Sequence, residues 1–175
     1  ERIAKEERIR NVSLLDVIDV HFYPEKGQWP SGPDNSPGVR QQLLRSTRSL
    51  WDRTYKDESW INEKLYFIPR LKEMAAKFKP AAKVSIGEYN YRSEKDAAGA
   101  IAQADILGIM GREDLFAAQY WDFPIKDGTH RNAFLLYRNF DGKGSGFGDR
   151  YLPNSAGNQE DYSVYTAEDT SKKRL

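Results

Sequence analysis

Three times in this chain, a short run rich in valine, isoleucine and aromatic residues gives way to a longer run with helical spacing. That alternation limits the fold more than any other feature. Strands separated by helices return in the same direction and pair as a parallel sheet. The strand-like runs are Leu14–Tyr23 (LLDVIDVHFY), Lys83–Tyr91 (KVSIGEYNY) and Leu115–Phe123 (LFAAQYWDF). Between the first two lie VRQQLLRSTRSLWD and INEKLYFIPRLKEMAAKFK, where Pro69 either kinks a helix or opens its second part. DAAGAIAQADILGIMG and RNAFLLYRNF follow as helices. Ser93 with Asp96 fits a capping box for the first of them. Its alanines and glycines suit close packing against a sheet. The first ten residues read as the end of a helix, and PEKGQWPSGPDNSPG, with four prolines and three glycines, as a loop.

Such units build either an open sheet or an arc of a (β/α)8 barrel. The polar and aromatic residues gather at the strands' C-terminal ends: His21 and Tyr23, then Glu88 to Tyr91, then Tyr120 and Trp121. In a barrel that end is the catalytic face. A whole barrel takes roughly 200–250 residues, whereas 175 residues with three strand–helix units supply only part of one. The chain is therefore expected to be an internal segment of a larger enzyme, entering late in a helix and leaving inside a β domain.

Composition removes several alternatives. There are 27 basic and 26 acidic residues, a net charge of +1, so no electrostatic case exists for nucleic acid or an anionic membrane. No run of about 18 apolar residues is present to span a bilayer. The N-terminal ERIAKEERIRN lacks the apolar core of a signal peptide. Without cysteine there is no disulfide or thiolate metal site, and two histidines leave little for zinc. DGKGSG, opening at Asp141, has the outline of a calcium loop but lacks its later acidic ligands and terminal glutamate, so it reads as a turn.

Strict alternation along KVSIGEYNY puts Val84, Ile86 and Glu88 on one face. If the first two point into a barrel, Glu88 does so at its rim. A carboxylate there needs donors or a task. One reading is a structural glutamate satisfied by a neighbouring Tyr or Asn. The other is a catalytic carboxylate, which glycoside cleavage requires beside rings that hold the sugar. His21 and Tyr23 share a strand face and either pack or lie over the site, Tyr23 donating to Glu88. Trp121 has Gln119 and Ala117 on its face, which leaves room for a ligand on the indole. Trp51 and Trp60 flank DRTYKDES as sugar platforms or helix anchors, and Trp29 is the least defined of the four tryptophans.

Six segments in order, LLDVIDVHFYPE, TRSLWDRTYKDESWI, SIGEYNY, GAIAQADILGIMGRE, AAQYWDFP and LYRNFDGKGSGFGD, together resemble glycoside hydrolase family 44, from about Leu14 to the end. The family comprises endoglucanases and xyloglucanases with a (β/α)8 barrel and a β-sandwich domain. The resemblance implies that residues 1–150 are the C-terminal part of the barrel, about strands six to eight, and that 151–175 begin the sandwich. It makes Glu88, on strand seven, the nucleophile of a retaining reaction, and His21, Tyr23, Trp51, Trp60, Tyr91 and Trp121 substrate-binding. The acid/base glutamate, in an Asn-Glu pair ending strand four, would lie upstream of residue 1. Asn62-Glu63 is the one such pair here and opens a helical run, so it does not inherit the role. β-Glucan is the implied substrate, secretion the implied destination, and the rest of the barrel and sandwich the implied partner, in the same polypeptide or a companion chain. The segment alone would be inactive. No cofactor is required, and a structural calcium is compatible with the family though no ligand set is found. Two other roles for the residues stand beside this one: a non-catalytic carbohydrate-binding or scaffold segment, and a barrel enzyme using Glu88 as a general base.

Overall fold

The computed structural model describes residues 1–24, 36–121, 126–155 and 161–173. Trp29 and the loop around it lie outside the described residues, as do the last residues of the third strand-like run. By packing, the chain forms two compact units. The first is Glu1–Gly27, Arg48–Asn90 and Glu113–Asp122; the second is Gln28–Thr47, Tyr91–Arg112 and Phe123–Leu175.

The first unit holds helix α1 (Arg2–Arg10), strand β1 (Val17–Phe22), helix α3 (Phe67–Phe78), strand β2 (Lys83–Tyr89) and strand β3 (Ala117–Tyr120). The strands form a parallel sheet in the order β1-β2-β3. Both expectations, parallel strands and helices between them, hold. Residues 61–66 are not helical, because Asn62 and Tyr66 sit at positive φ. The helix opens at Phe67, with Pro69 in the first turn, where a missing N–H needs no partner. One face of the sheet is apolar: Phe22, Val84, Ile86 and Tyr89 are all buried, and Phe22 packs on Phe67 of α3 with ring centroids 4.7 Å apart. At the opposite end of the unit, Glu7 of α1 is buried. It accepts from the Leu14 and Leu15 amides at 2.6 and 3.1 Å and pairs with Lys79 at 2.7 Å, tying α1 to the end of α3.

The second unit holds α2 (Pro37–Ser46), α4 (Ala97–Arg112), α5 (His130–Arg138) and an antiparallel strand pair, β4 (Arg150–Leu152) with β5 (Thr166–Glu168). A short 3₁₀ turn, Thr47–Leu50, follows α2. The small residues of α4 take close neighbours. A side chain on Gly108 would collide with the Tyr165 ring, whose hydroxyl donates to Asp105 at 2.7 Å. Tyr137 of α5 donates to the Ala104 carbonyl at 2.9 Å.

The cap of α4 differs from the expected box. Ser93 is in the left-handed region, φ 57°, and cannot serve as an extended N-cap. Asp96 does the capping: its Oδ1 accepts from the Ala98 amide at 2.8 Å, while Oδ2 takes Arg40 of α2 at 2.6 Å. The Arg40 hydrogen bond, then the Ala98 amide, hold the Asp96 carboxyl below its ordinary value of 3.8. A lowered carboxyl stabilises the fold above its unfolded value and loses that contribution as pH falls through its folded value. Stability of the intact protein should therefore drop with acidification below about pH 4, and Asp96→Asn should flatten that part of the curve; denaturant melts at stepped pH read this directly.

Candidate active site

The central strand does not keep its alternation. Ile86 pairs with Val20 on β1 and with Ala118 on β3, and Tyr89 pairs with Phe22 and with Tyr120. Two residues of β2, Gly87 and Glu88, thus stand opposite a single residue on each neighbour, His21 on β1 and Gln119 on β3. This is a β-bulge, and it turns the strand by one residue. Glu88 is not on the face of Val84 and Ile86, as strict alternation predicted. The inserted residue moves it to the other face, with Ser85, Asp19 and His21, while the apolar pair faces the helix side.

On that polar face the strand ends meet. The Tyr23 hydroxyl donates to Glu88 Oε2 at 2.8 Å. His21 Nδ1 lies 3.3 Å from the same oxygen, with the imidazole 54% exposed and the Glu88 side chain 31% exposed. The predicted donor to Glu88 is therefore Tyr23, with the His21 imidazole beside the same oxygen. Trp121 continues the β3 line on the face of Ala117 and Gln119 and is 51% exposed. Its amide donates to the Tyr89 carbonyl at 2.9 Å, and its carbonyl accepts from the Asn90 side-chain amide. Asn90, buried and adjacent to the glutamate strand, thus fixes the backbone that carries the indole.

Trp51 and Trp60 belong to the connection before α3. Trp60 is 68% exposed, while Trp51 is half-buried. Between them sits Asp57, 1% exposed. Its Oδ2 accepts from Ser49 Oγ at 2.6 Å and its Oδ1 from the Ser59 amide at 2.9 Å and the Ser59 hydroxyl. Its own amide donates to the Glu63 carbonyl at 2.9 Å. A buried carboxylate with this many donors fixes a loop that has no regular structure, and it holds the chain next to Trp60. Tyr91, expected beside the site, is buried at 2% in the second unit.

The Asp141 loop is a turn. Asp141 Oδ1 accepts the Lys143 and Ser145 amides at 2.9 and 3.2 Å, and these bonds, the Lys143 one first, hold its carboxyl below the ordinary aspartate value. Among the described residues no group of three His, Asp or Glu side chains is placed to hold a metal, and no helix is long and apolar enough to cross a membrane.

No model of a known protein family matches the chain. Endoglucanase A of Paenibacillus lautus is 36% identical across 93% of it. The solved structure of CelM2, a bifunctional glucanase-xylanase from a metagenome library, is 40% identical, superposes with a TM-score of 0.92 and covers 98% of the chain. A family 44 xyloglucanase of Paenibacillus polymyxa, solved with xyloglucan, is 35% identical with a TM-score of 0.79 over 94% of the chain. This chain spans 25% of the first of these proteins, 33% of the second and 34% of the third. Nearly the whole chain, with its parallel strand–helix units, aligns with a segment of these glycoside hydrolases. The chain belongs to glycoside hydrolase family 44.

The Asp57 knot makes a separable prediction. In the full-length protein Asp57→Ala should lower stability by about 2–4 kcal/mol, since it strands buried hydroxyl and amide donors. Amide exchange at Ser59 and Ile61 should accelerate more than in β2. Unchanged exchange there would show that the loop is held by something else.

Proposed function

We propose that this chain carries the nucleophile of a retaining endo-β-1,4-glucanase. β1, β2 and β3 are strands six, seven and eight of a (β/α)8 barrel, Glu88 is the nucleophile, and residues 151–175 begin a β-sandwich. The observation that carries the reading is the bulge-turned Glu88, held by Tyr23 and His21 at the C-terminal end of a parallel strand. The relatives add support: one is an endoglucanase, one a glucanase-xylanase and one a xyloglucanase solved with xyloglucan. β-1,4-Linked glucans, including cellulose derivatives and xyloglucan, are the proposed substrates, outside the cell where such polymers occur.

Both contacts fall on Oε2, which leaves Oε1 as the attacking atom. Its lone pair forms a bond to the anomeric carbon as the glycosidic C–O bond breaks. The leaving oxygen takes a proton from a second carboxyl, provided by the rest of the polypeptide. That carboxylate then removes a proton from water, whose oxygen attacks the same carbon and expels Glu88. The two attacks cancel in stereochemistry, so configuration is retained, which calls for carboxyls about 5–5.5 Å apart. Donation from Tyr23 fixes the carboxylate in one rotamer before substrate arrives. The exposed indoles of Trp60 and Trp121 suit stacking on the CH faces of glucosyl rings.

In the full-length enzyme, Glu88→Gln should reduce turnover of carboxymethyl cellulose and xyloglucan by at least about a thousandfold, as loss of a covalent catalyst does. A 2-fluoro glycoside should label Glu88. A rate within about threefold of wild type, or a label elsewhere, would remove Glu88 from the role. A label absent while activity is lost would favour a general base. Trp60→Ala and Trp121→Ala should each raise KM severalfold with a smaller change in kcat; constants that do not move would make the rings packing residues.

A further inference from the structure

The bulge that turns Glu88 is built against a side chain that takes no part in the displacement described above. Asp19 is the register partner of Ser85, and the Ser85 hydroxyl donates to Asp19 Oδ1. The same carboxylate lies over Gly87. A Cβ added to Gly87 would come within 2.8 Å of Asp19 Cγ and 3.0 Å of Oδ1, closer than packed carbons and oxygens tolerate. Asp19 thus fills the space that any side chain at position 87 would need. Aspartate is also depleted from strand interiors, yet this one is the third residue of β1, two before His21.

We propose that Asp19 is a positioning residue for hydrolysis. The two bulge residues share one partner on each side, so the ladder alone fixes them poorly. Asp19, pinned by Ser85 and seated against bare Gly87, closes that freedom. It acts through the backbone: Gly87 is held, Glu88 follows, and its Oε2 stays between Tyr23 and His21. The inference rests on the reading of Glu88 as nucleophile and adds a buttress beneath it.

The test uses full-length enzyme, with active sites counted by 2-fluoro glycoside titration so that unfolded protein does not enter the rates. Asp19→Ala should lower kcat on a soluble β-glucan about 10- to 100-fold, the scale expected when a reacting group is displaced by about an ångström. KM should stay within about twofold, and labelling of Glu88 should slow by the same factor as kcat. Asp19→Asn keeps the shape and an acceptor for Ser85, so it should retain kcat within about threefold. Gly87→Ala alone should be as damaging as Asp19→Ala, because the new methyl drives the carboxylate away. The collision is with Asp19 itself, so the double variant should be no worse than Asp19→Ala, a non-additive cycle that a general loss of stability does not produce. Normal kcat in Asp19→Ala, equal losses in Asp19→Ala and Asp19→Asn, or multiplying losses in the double variant would each overturn the buttress. The two claims fail differently. A label on another residue overturns the nucleophile, whereas a label on Glu88 at undiminished rate in Asp19→Ala overturns only the positioning role.

Discussion

A strand paired on both sides keeps its side chains alternating unless the ladder is interrupted, and β2 is interrupted between Ile86 and Tyr89. The placement of Glu88, and with it the proposed chemistry, depends on that interruption. With perfect alternation Glu88 would lie on the face of Val84 and Ile86, among residues buried against the helix side. An unpartnered carboxylate there would cost several kcal/mol or give up its charge. One extra residue carries it to the polar face, where a phenol and an imidazole are already presented by β1. The bulge also explains why a strand this apolar can end in a carboxylate without conflict. Val84 and Ile86 serve the core, Tyr89 returns to it, and only the interrupted pair is released to the other side.

Polar groups elsewhere follow the same rule of being fixed before they are used. Asp57 is buried with serine donors around it and steadies the segment that exposes Trp60. Asn90 clasps the Trp121 carbonyl. Asp96 closes α4 and takes Arg40 in the second unit. In each case a short polar side chain satisfies backbone or hydroxyl groups that no helix or strand reaches, which is the condition for irregular chain to be rigid.

Much of this was legible in the residues. The strand–helix alternation yields the parallel sheet because period 2 and period 3.6 are easily told apart over runs of this length. Tyr23 as a donor to Glu88 follows from their places at strand ends. The face of Glu88 departs from strict alternation, because a bulge is a property of pairing between distant strands and leaves only a weak local sign, here the glycine before the glutamate. The capping role expected of Ser93 falls to Asp96, since the S-x-x-D spacing is silent about a positive φ at the serine. The partners of Asp57 and Asn90, Ser49 and the Trp121 carbonyl, have no local sign for a related reason: they are brought to them by the fold and not by spacing. Asp19 carried a usable signal, an acidic residue inside a run of valine and isoleucine, which strand propensity alone disfavours.

Parallel sheets are ordinarily covered on both faces and filled with branched aliphatic residues. The sheet here meets that expectation on one face only. The other bears Asp19, His21, Ser85, Glu88 and Gln119, and of these Asp19, His21 and Gln119 are exposed. Under the proposed barrel this face is the interior, and its upper layer would be polar from mid-strand to rim. Enclosure would strip water from Asp19, and its hydrogen bond from Ser85 would then count for more than it does in the open. The two carboxylates draw on separate groups: Ser85 donates to Asp19 and Tyr23 to Glu88, with His21 Nδ1 3.3 Å from the same Glu88 oxygen. In the proposed reading, this separation lets Asp19 brace the strand while Glu88 reacts, on adjacent strands of the same sheet.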